Sequence, residues 1–315
     1  MKKNLVVLTG PTAVGKTELS IELAGKLNAE IISADSIQVY KYMDVGSAKI
    51  TKEEMRGVKH YLIDELEPDE EFNIFRFKEM ALKYMDEIYD KGKIPLIVGG
   101  TGFYIQSILY DIQFSTGDDD KHIYRHELEE QAKIHGNEFV HDMLKKVDSE
   151  SAEKIHKNNL KRVIRALEYY NETGKKFSEH NEEQRSNSSP YNFRYFVLND
   201  DRERLYERIN RRVDIMIDGG LEEEVRMLLK KGYTADLVSM QGIGYKEMVS
   251  YIRGEISLNE AAELIKKNTR NFAKRQLTWF RREKEVDFID YRDSDYDKNI
   301  MLTKMLELCR SRNII

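Results

Sequence analysis

A run of eight residues near the N-terminus has the residue types and spacing of a loop that binds phosphate. The run follows the pattern Gly-x-x-x-x-Gly-Lys-Thr and consists of Gly10, Pro11, Thr12, Ala13, Val14, Gly15, Lys16 and Thr17. Glycines let backbone N–H groups turn toward phosphate oxygens, and the N-terminus of a following helix adds positive partial charge. The Lys16 ammonium would neutralise a terminal phosphate, and the Thr17 hydroxyl would bind Mg²⁺. We therefore predict a phosphate-binding loop with Mg²⁺ as cofactor, and a Gly-rich turn with a surface lysine is the alternative.

The segments on either side of this loop are those that such a loop requires. Leu5–Leu8 is a short apolar run with two valines, which predicts a strand. Glu18–Leu27 has leucines at spacings of four residues, which predicts a helix. A strand, the Gly-rich loop and a helix in this order are the context in which the pattern binds phosphate. The motif indicates a class of ligand and leaves the reaction open.

Two further polar residues follow predicted strands. Asp35 comes directly after the apolar run Glu30–Ala34, and Thr101 lies in a Gly-rich turn after the predicted strand Lys93–Val98. Ligands of open parallel sheets bind beyond the carboxyl ends of the strands, so both side chains should face the same crevice as the phosphate loop. A carboxylate there could bind Mg²⁺ or accept a proton, or it could only cap a turn. Thr101 could line the crevice or only complete its turn.

Strands and helices alternate in the N-terminal third of the chain. The predicted strand Lys93–Val98 follows a helical pattern at Lys78–Lys91, as Glu30–Ala34 follows the first helix. This alternation predicts the α/β class, with a P-loop NTPase-like parallel sheet that has helices on both faces. Strand character returns at Phe193–Leu198, so the sheet should continue after an interruption.

The interruption is predicted to be helical. From residue 123 to residue 170 the apolar residues follow only helical periodicity, after a charged stretch at 117–120 that predicts a loop. We predict a helical insertion subdomain at residues 112–189. Residues 1–111 and 190–315 would form the catalytic core, which includes a helical C-terminal portion.

Composition and charge are those of a globular chain. Of 315 residues, 40% are hydrophobic and 34% are charged, with a net charge of −5, which leaves enough apolar material for a core. No apolar stretch approaches the roughly 18 residues of a membrane-spanning helix, and the N-terminal apolar run is too short for a signal peptide. The single cysteine, Cys309, is typical of a reducing compartment. We predict a cytoplasmic monomer with no membrane association.

Two predicted helices carry clusters of basic residues in a chain that is acidic overall. Ser257 and Glu260 form a capping-box pattern, which predicts a helix that runs to about Lys284. Its apolar stripe lies opposite a basic stripe formed by Lys267, Arg270, Lys274 and Arg281. A second basic set, on a predicted helix of the insertion, comprises Lys154, Lys157, Lys161, Arg162 and Arg165. Two basic helices could bind a polyanion larger than a nucleotide, or they could be solvated charged surfaces.

Taken together, the motifs resemble those of one family, the tRNA dimethylallyltransferases, also called tRNA isopentenyltransferases. The matching segments follow the family's order to about residue 285 and are Gly10–Thr17, Ser33–Tyr40, Met43–Lys49, Val98–Tyr104, Asn158–Glu168, Gln241–Glu247 and Ala273–Phe280. Each segment is moderately specific, and the set is highly so. In this family a dimethylallyl group moves from its diphosphate to the exocyclic amine of the adenosine just 3′ of the anticodon. The resemblance therefore implies dimethylallyl diphosphate and the anticodon arm of tRNA as partners.

The resemblance also implies roles for the residues of the predicted crevice. The phosphate loop would hold the diphosphate of the donor with Lys16 and Mg²⁺. Asp35 would be the general base that takes the proton of the amine, and Thr101 would line the reaction channel and touch the flipped base. The adenosine must leave its stack to react, and it would be read or positioned by Ser36, Ile37 and Gln38.

Other positions match the family's substrate-binding segments. Arg212 matches its diphosphate-binding arginine, and a bidentate guanidinium suits a departing diphosphate; Arg208 is the alternative. The segments that hold the anticodon arm are matched by Lys161, Arg162, Arg165, Gln241, Gly244, Tyr245 and Lys246. The insertion would then clamp the tRNA. The sequence departs from the family at two positions. Asn159 stands where the family usually has Asp, and Ser47 stands where it often has Thr.

Two other functions are compatible with part of the pattern. A P-loop small-molecule or nucleotide kinase shares this sheet and loop, but it does not account for the long basic helix. A non-catalytic, nucleotide-dependent RNA-binding protein would not need Asp35. A GTPase is disfavoured because the chain has neither Asn-Lys-x-Asp nor Asp-x-x-Gly. The catalytic core alone leaves an adenine nucleotide open as acceptor, whereas the insertion and the basic helices favour tRNA.

Overall fold

The structure is a computed structural model that describes residues 2–112 and 120–315 of the chain. Its strands are β1 (Asn4–Thr9), β2 (Ala29–Ala34), β3 (His60–Tyr61), β4 (Ile94–Gly99), β5 (Asn192–Asn199) and β6 (Val286–Asp290). Among the described residues these form one six-stranded parallel sheet in the order β3-β2-β4-β1-β5-β6. The predicted α/β class with a parallel sheet is confirmed. β3 and β6 were not predicted, because β3 is two residues long and β6 is a short segment in which two aspartates interrupt the apolar residues.

The central strands end level with one another. Gly99 of β4 pairs with Thr9 of β1 and with Ala34 of β2. The loops that begin at residues 10, 35 and 100 therefore leave the sheet side by side. The approach is close, since a Cβ atom on Gly99 would lie 2.3 Å from the carbonyl oxygen of Ala34.

Helices α1 (Lys16–Leu27), α2 (Ile74–Asp90) and α3 (Gly102–Leu109) connect or follow these strands. Parallel strands need crossover connections, and the helices cover the faces of the sheet. α1 buries the leucines whose spacing predicted it. α2 begins four residues before its predicted start at Lys78, because the side chain of Asn73 caps it by accepting a hydrogen bond from the N–H of Arg76.

The chain forms two compact units, one of Met1–Leu109 with Pro190–Ile315 and one of Tyr110–Ser189. The helices of the second unit are α4 (Asp120–His135), α5 (Asn137–Val147), α6 (Ser149–Lys154), α7 (Leu160–Thr173) and α8 (Phe177–Ser186). They enclose a core of their own, which includes Leu128, Val140, Leu144, Val163 and Leu167. Of the predicted charged loop, residues 117–119 lie outside the described residues, and Asp120 begins α4.

The basic set predicted on one helix of the insertion is divided between two helices. Lys154 ends α6, whereas Lys161, Arg162 and Arg165 lie on α7. The break has a physical cause: Ile155 is extended and 4% exposed, so that burial of its side chain takes the chain out of the helix.

The C-terminal portion is mainly helical, as predicted. It comprises α9 (Arg202–Asp218), α10 (Leu221–Lys230), α11 (Tyr245–Ile252), α12 (Leu258–Phe280) and α13 (Lys298–Ser311). Ser257 and Glu260 form the predicted capping box at the start of α12. The helix ends at Phe280 instead of the predicted Lys284, because Glu285 adopts a left-handed conformation and β6 then pairs with β5.

The core of the larger unit joins the sheet to α1, α9, α12 and α13. Buried residues from these elements include Leu8, Leu23, Ile209, Ala273 and Met305. α12 therefore packs with its apolar side against the sheet unit, as the predicted stripe required. No helix in the described part of the chain is long and apolar enough to cross a membrane.

Candidate functional site

A cavity of about 1320 Å³ opens at the carboxyl ends of the strands in the larger unit. Pockets for small ligands are usually about 300–1,000 Å³, so this one has room for a small ligand together with part of a larger one. It is lined by the phosphate loop, the segments 35–38, 46–48 and 100–101, and by parts of α9, α11 and α12. The structure thus brings most of the predicted crevice residues to one place.

The phosphate loop directs some of its residues to the cavity and others to the core. Thr12, Ala13, Gly15, Lys16 and Thr17 line the cavity. Val14 is fully buried in the core, and Gly10 and Pro11 contribute their carbonyl oxygens, as described below. Gly15 has a φ of 101°, and a Cβ atom there would lie 2.6 Å from the hydroxyl of Tyr291. Both its conformation and its surroundings therefore require glycine.

Lys16 begins α1 and folds back over its own loop. Its ammonium donates hydrogen bonds to the carbonyl oxygens of Gly10, at 3.0 Å, and Pro11, at 2.9 Å. The pKa of Lys16 is lowered to about 7, mainly because burial removes hydration from the ammonium and also because of the charge of Arg212, while the charge of Asp35 opposes the shift. An incoming anion would favour the charged form of Lys16, so this side chain can switch from loop carbonyls to a phosphate.

Asp35 follows β2 and uses one carboxylate oxygen to organise the next turn. Oδ1 accepts hydrogen bonds from the N–H groups of Ile37, at 2.9 Å, and Gln38, at 3.3 Å. The same carboxyl group lines the cavity. Turn capping and chemistry were alternatives from the sequence, and the geometry allows both, because the second oxygen remains for a ligand or a proton. Ser36, Ile37 and Gln38 all line the cavity beside it.

Thr101 is the first residue of the turn into α3. Its N–H donates to the carbonyl of Ala34, and its own carbonyl accepts from the N–H of Tyr104. The residue also lines the cavity. Its backbone therefore serves the turn, while its position at the end of β4 places it close to Asp35 at the end of β2.

Gln276 of α12 connects two of these loops and was not singled out from the sequence. Its Oε1 accepts from the N–H of Thr12 at 2.9 Å, and its Nε2 donates to the carbonyl of Gly100 at 3.0 Å. The side chain is 6% exposed. Because both bonds are made by one amide, α12 fixes the phosphate loop relative to the turn of Thr101. Gln276 lies in the quoted segment Ala273–Phe280, which was the only sequence signal for it.

Arg212 and Arg208 both reach the cavity from α9. Nη2 of Arg212 makes a long hydrogen bond of 3.5 Å to the carbonyl of Ser47. Burial lowers the pKa of Arg212, the charge of Asp35 opposes this, and the charge of Arg208 reinforces it. Two guanidinium groups beside Lys16 make this wall of the cavity strongly positive, as a diphosphate requires.

The segment Gln241–Glu247 contributes residues of different exposure. Gln241 and Lys246 are exposed and line the cavity. Tyr245 also lines it but is fully buried, and its hydroxyl donates to Glu224 at 2.8 Å. Gly244, which has a φ of 101°, begins α11 and is outside the cavity lining.

The remaining predicted binding residues lie on α7 in the helical unit. Lys161 and Arg162 are exposed, and Arg165 is partly exposed with Nη1 3.9 Å from Glu168. Glu168 is buried and bound by Arg125, so the ion pair anchors this face of α7. The exposed basic side chains are free of the core and suit contacts with phosphates.

The residues present fit a magnesium ion bound together with a diphosphate. Thr17 is exposed and lines the cavity together with Asp35. The described residues contain no group of three or more His, Cys, Asp or Glu side chains that could hold a metal by themselves. Mg²⁺ usually keeps waters and takes one or two protein ligands plus phosphate oxygens, so a single hydroxyl beside a diphosphate site is compatible with it.

The fold and the site define an α/β protein with a P-loop-like phosphate site. The sequence profile of the IPP transferase family matches residues 38–283. The chain belongs to this family. The match begins after the phosphate loop and Asp35, but relatives that are similar over their whole length cover both.

Relatives and solved structures agree with this assignment. A tRNA dimethylallyltransferase of Lachnoclostridium phytofermentans is 58% identical over 311 residues, which are 99% of each chain. One of Acetivibrio thermocellus is 54% identical over 95% of each chain. A crystal structure of a tRNA isopentenylpyrophosphate transferase from Staphylococcus epidermidis has a TM-score of 0.73 at 45% identity, covering 99% of this chain and 100% of that one. A eukaryotic dimethylallyltransferase acting on tRNA has a TM-score of 0.78 at 30% identity, covering 91% and 74%.

Proposed function

We propose that this protein is a tRNA dimethylallyltransferase, a prenyltransferase that moves the dimethylallyl group of dimethylallyl diphosphate to the exocyclic amine of the adenosine 3′-adjacent to the anticodon. The observation that carries the proposal is the meeting of Lys16, Arg212 and Asp35 in one cavity. Two cations suit the diphosphate, and a carboxylate beside them suits the amine. Membership of the family supports the same reaction.

In this reaction the nitrogen of the amine forms a bond to the allylic carbon while the bond from that carbon to the diphosphate oxygen breaks. Asp35 takes the proton that the amine loses, using the carboxylate oxygen that does not cap the turn. Lys16 and Arg212 stabilise the charge that develops on the departing diphosphate. Thr101, Ser36, Ile37 and Gln38 position the base at the side of the cavity where Asp35 lies.

The tRNA binds through two groups of side chains. Lys161, Arg162 and Arg165 of α7 contact backbone phosphates of the anticodon arm, and the helical unit clamps it. In the larger unit the acceptor is held by residues at or beside the cavity, namely Gln241, Gly244, Tyr245 and Lys246. Because Tyr245 and Gly244 are buried, they act by shaping this wall, while Gln241 and Lys246 are available for direct contact.

Mg²⁺ is part of the proposal, with the hydroxyl of Thr17 as its protein ligand. When bound with the donor, it would neutralise charge on the diphosphate. We also propose that the protein acts as a cytoplasmic monomer without membrane association. Sedimentation of the purified chain, and loss of transfer on chelation with recovery on Mg²⁺ addition, test these points.

The central experiment is a transfer assay with purified protein, Mg²⁺, labelled dimethylallyl diphosphate, and either bulk tRNA or AMP as acceptor. We expect label in tRNA. Asp35→Asn keeps an oxygen for the turn but removes the base, so transfer should fall by about 10²–10⁴-fold while donor binding persists. Asp69→Asn, an exposed carboxylate outside the cavity, is the matched control.

The outcomes separate the alternatives. Label in AMP alone would show that the acceptor is an adenine nucleotide and that the basic helices do not serve to bind tRNA. If neither acceptor is labelled by folded protein and phosphate is instead transferred from ATP, the enzyme is a P-loop kinase. If Asp35→Asn equals Asp69→Asn, Asp35 is not the base.

A further inference from the structure

The loop of residues 43–48 contacts two of the proposed catalytic and binding residues through its carbonyl groups. The carbonyl oxygens of Ser47, at 3.3 Å, and Ala48, at 3.4 Å, accept hydrogen bonds from Nε2 of Gln38. The carbonyl of Ser47 also accepts from Arg212. In the proposed reaction Gln38 positions the acceptor base and Arg212 binds the diphosphate, so the position of this loop would affect both substrates.

A single buried carboxylate holds the other side of this loop. Oε2 of Glu224 accepts hydrogen bonds from the N–H groups of Asp44 and Val45, both at 2.7 Å. Its Oε1 accepts from the N–H of Gly46 at 3.0 Å and from the hydroxyl of Tyr245 at 2.8 Å. Glu224 is 8% exposed and lies on α10, outside the lining of the cavity. Successive N–H groups that converge on one anion form a rigid concave loop.

The ring of Tyr245 closes the loop from a second side. A Cβ atom on Gly46 would lie 2.5 Å from Cζ of Tyr245. The loop therefore has no room to move toward α11, and the bonds to Glu224 prevent it from moving away. Both constraints act within four residues of the carbonyl groups that contact Gln38 and Arg212.

We propose that Glu224 is a positioning residue for the transfer reaction, which places Gln38 and Arg212 by fixing the backbone of residues 44–46. The proposal rests on the function proposed above. Glu224 acts without touching either substrate, through its bonds to the loop. Misplacement of reacting groups by about 1 Å costs about 100-fold in rate, so a residue outside the cavity can control the chemistry.

The test compares Glu224→Gln with Glu223→Gln. The second change is identical but falls on an exposed neighbour in the same helix. A carboxylate only accepts hydrogen bonds, whereas an amide presents two N–H donors at one end. Whichever way the amide turns, the N–H groups of Asp44 and Val45, or that of Gly46, face a donor. The loop must then shift.

We expect Glu224→Gln to lower kcat on the order of 100-fold, with the KM for tRNA changed by less than about threefold. Affinity for tRNA comes mainly from phosphate contacts at the basic surfaces, which this change leaves intact. Thermal midpoints are measured first, and all assays run at a temperature at which every variant is folded. A merely structural role would then leave kcat equal to that of Glu223→Gln, and this result overturns the proposal.

Three further measurements test the role of Glu224, and two of them do not depend on the proposed function. Gly46→Ala disturbs the same loop from the side of Tyr245, and it should reproduce the loss of kcat; a normal kcat in this variant contradicts the proposal. Hydrogen exchange of the amides of residues 44–46, and binding of inorganic diphosphate with Mg²⁺, need no transfer. Faster exchange and weaker diphosphate binding in Glu224→Gln support the positioning role even if wild-type protein labels no tRNA. Unchanged exchange overturns it.

Discussion

The loops that follow β1 and β2 each surround a charged side chain with backbone groups, but the charges are opposite. In the phosphate loop, the carbonyl groups of Gly10 and Pro11 hold the Lys16 ammonium in the cavity. In the loop at 43–48, N–H groups hold the Glu224 carboxylate away from the cavity. The pKa of Lys16 in the first arrangement is lowered, because burial removes hydration from the ammonium and the charge of Arg212 adds to the effect. The second satisfies its anion with strong charge-assisted bonds.

This difference suits the two loops to different tasks. The phosphate loop is suited to bind a ligand, whereas the loop at 43–48 is suited to hold other residues in place. A cation whose charged form is disfavoured gains from an incoming diphosphate, so its present contacts are exchangeable. A carboxylate that accepts bonds along a loop gains nothing from a ligand, and its removal leaves partly buried N–H groups without an acceptor, which is costly. Removal of the Lys16 ammonium should therefore not lower the stability of the fold, whereas removal of the Glu224 carboxylate should lower it. Both changes should lower the rate of transfer.

Among the changes that test this comparison, the largest effect is expected for Lys16→Met. Removal of a charge-stabilising donor at the leaving group costs about 10²–10³-fold in rate, measured as kcat/KM for dimethylallyl diphosphate.

The pKa of Lys16 is about 7 in the folded protein against 10.5 for the free side chain, so the unfolded chain binds more protons between these values. Lys16 thus costs folding free energy at neutral pH, and the variant should melt no lower than wild type. Lys26→Met, an exposed lysine of the same helix, is the control, and a clear fall in the melting temperature of Lys16→Met would contradict the comparison.

An effect on the order of tenfold in rate is expected for Gln276→Ala. The change leaves the N–H of Thr12 and the carbonyl of Gly100 without their partner, and buried groups without partners destabilise. We expect a higher KM for the donor, a lower kcat and a lower melting temperature. Asn271→Ala, exposed on the same helix, should change none of these. If both variants behave alike, the phosphate loop holds its shape without α12.

The pH dependence of donor binding sharpens the same comparison. Above pH 7 the free protein carries Lys16 mainly as the neutral amine, and binding of a diphosphate must restore its proton. The dissociation constant should then rise by up to about tenfold per pH unit above 7, with proton uptake visible by calorimetry at pH 8 in buffers of different ionisation enthalpy. Lys16→Met retains the titration of the diphosphate itself but should lose this uptake. Equal uptake in both proteins would assign the proton elsewhere.

The smallest effect is expected on α7, where the cations are exposed and not buried. Lys161→Ala and Arg162→Ala should each weaken tRNA binding a few-fold and reduce the slope of log K against log[salt] by about 0.7–0.9. Neither should change the KM for dimethylallyl diphosphate. Lys133→Ala, on α4 and paired with Glu130, should leave the slope unchanged. A slope that is the same in all three variants would remove α7 from the tRNA interface.

Short-range sequence patterns predicted the loop and the helices that form the cavity. The spacing of Gly10, Gly15 and Lys16 predicted the phosphate loop, the leucines of α1 predicted its helix, and the box of Ser257 and Glu260 predicted the start of α12. Each of these signals lies within a few residues of the structure that it determines. Backbone conformation and helix capping depend on such near neighbours, and for this reason they could be read in advance.

The tertiary structure alone decided which groups support the site. Glu224 lies 178 to 180 residues from the amides that it binds, and Gln276 lies 264 residues from Thr12. Tyr245, matched to a tRNA-binding segment, proved to be buried against Glu224. No periodicity or spacing reports such contacts, because they depend on how helices pack against the sheet over the whole chain. The sequence by itself determined the loop, the ligand class that it indicates and the family resemblance, while packing determined how the residues of the cavity are held in place.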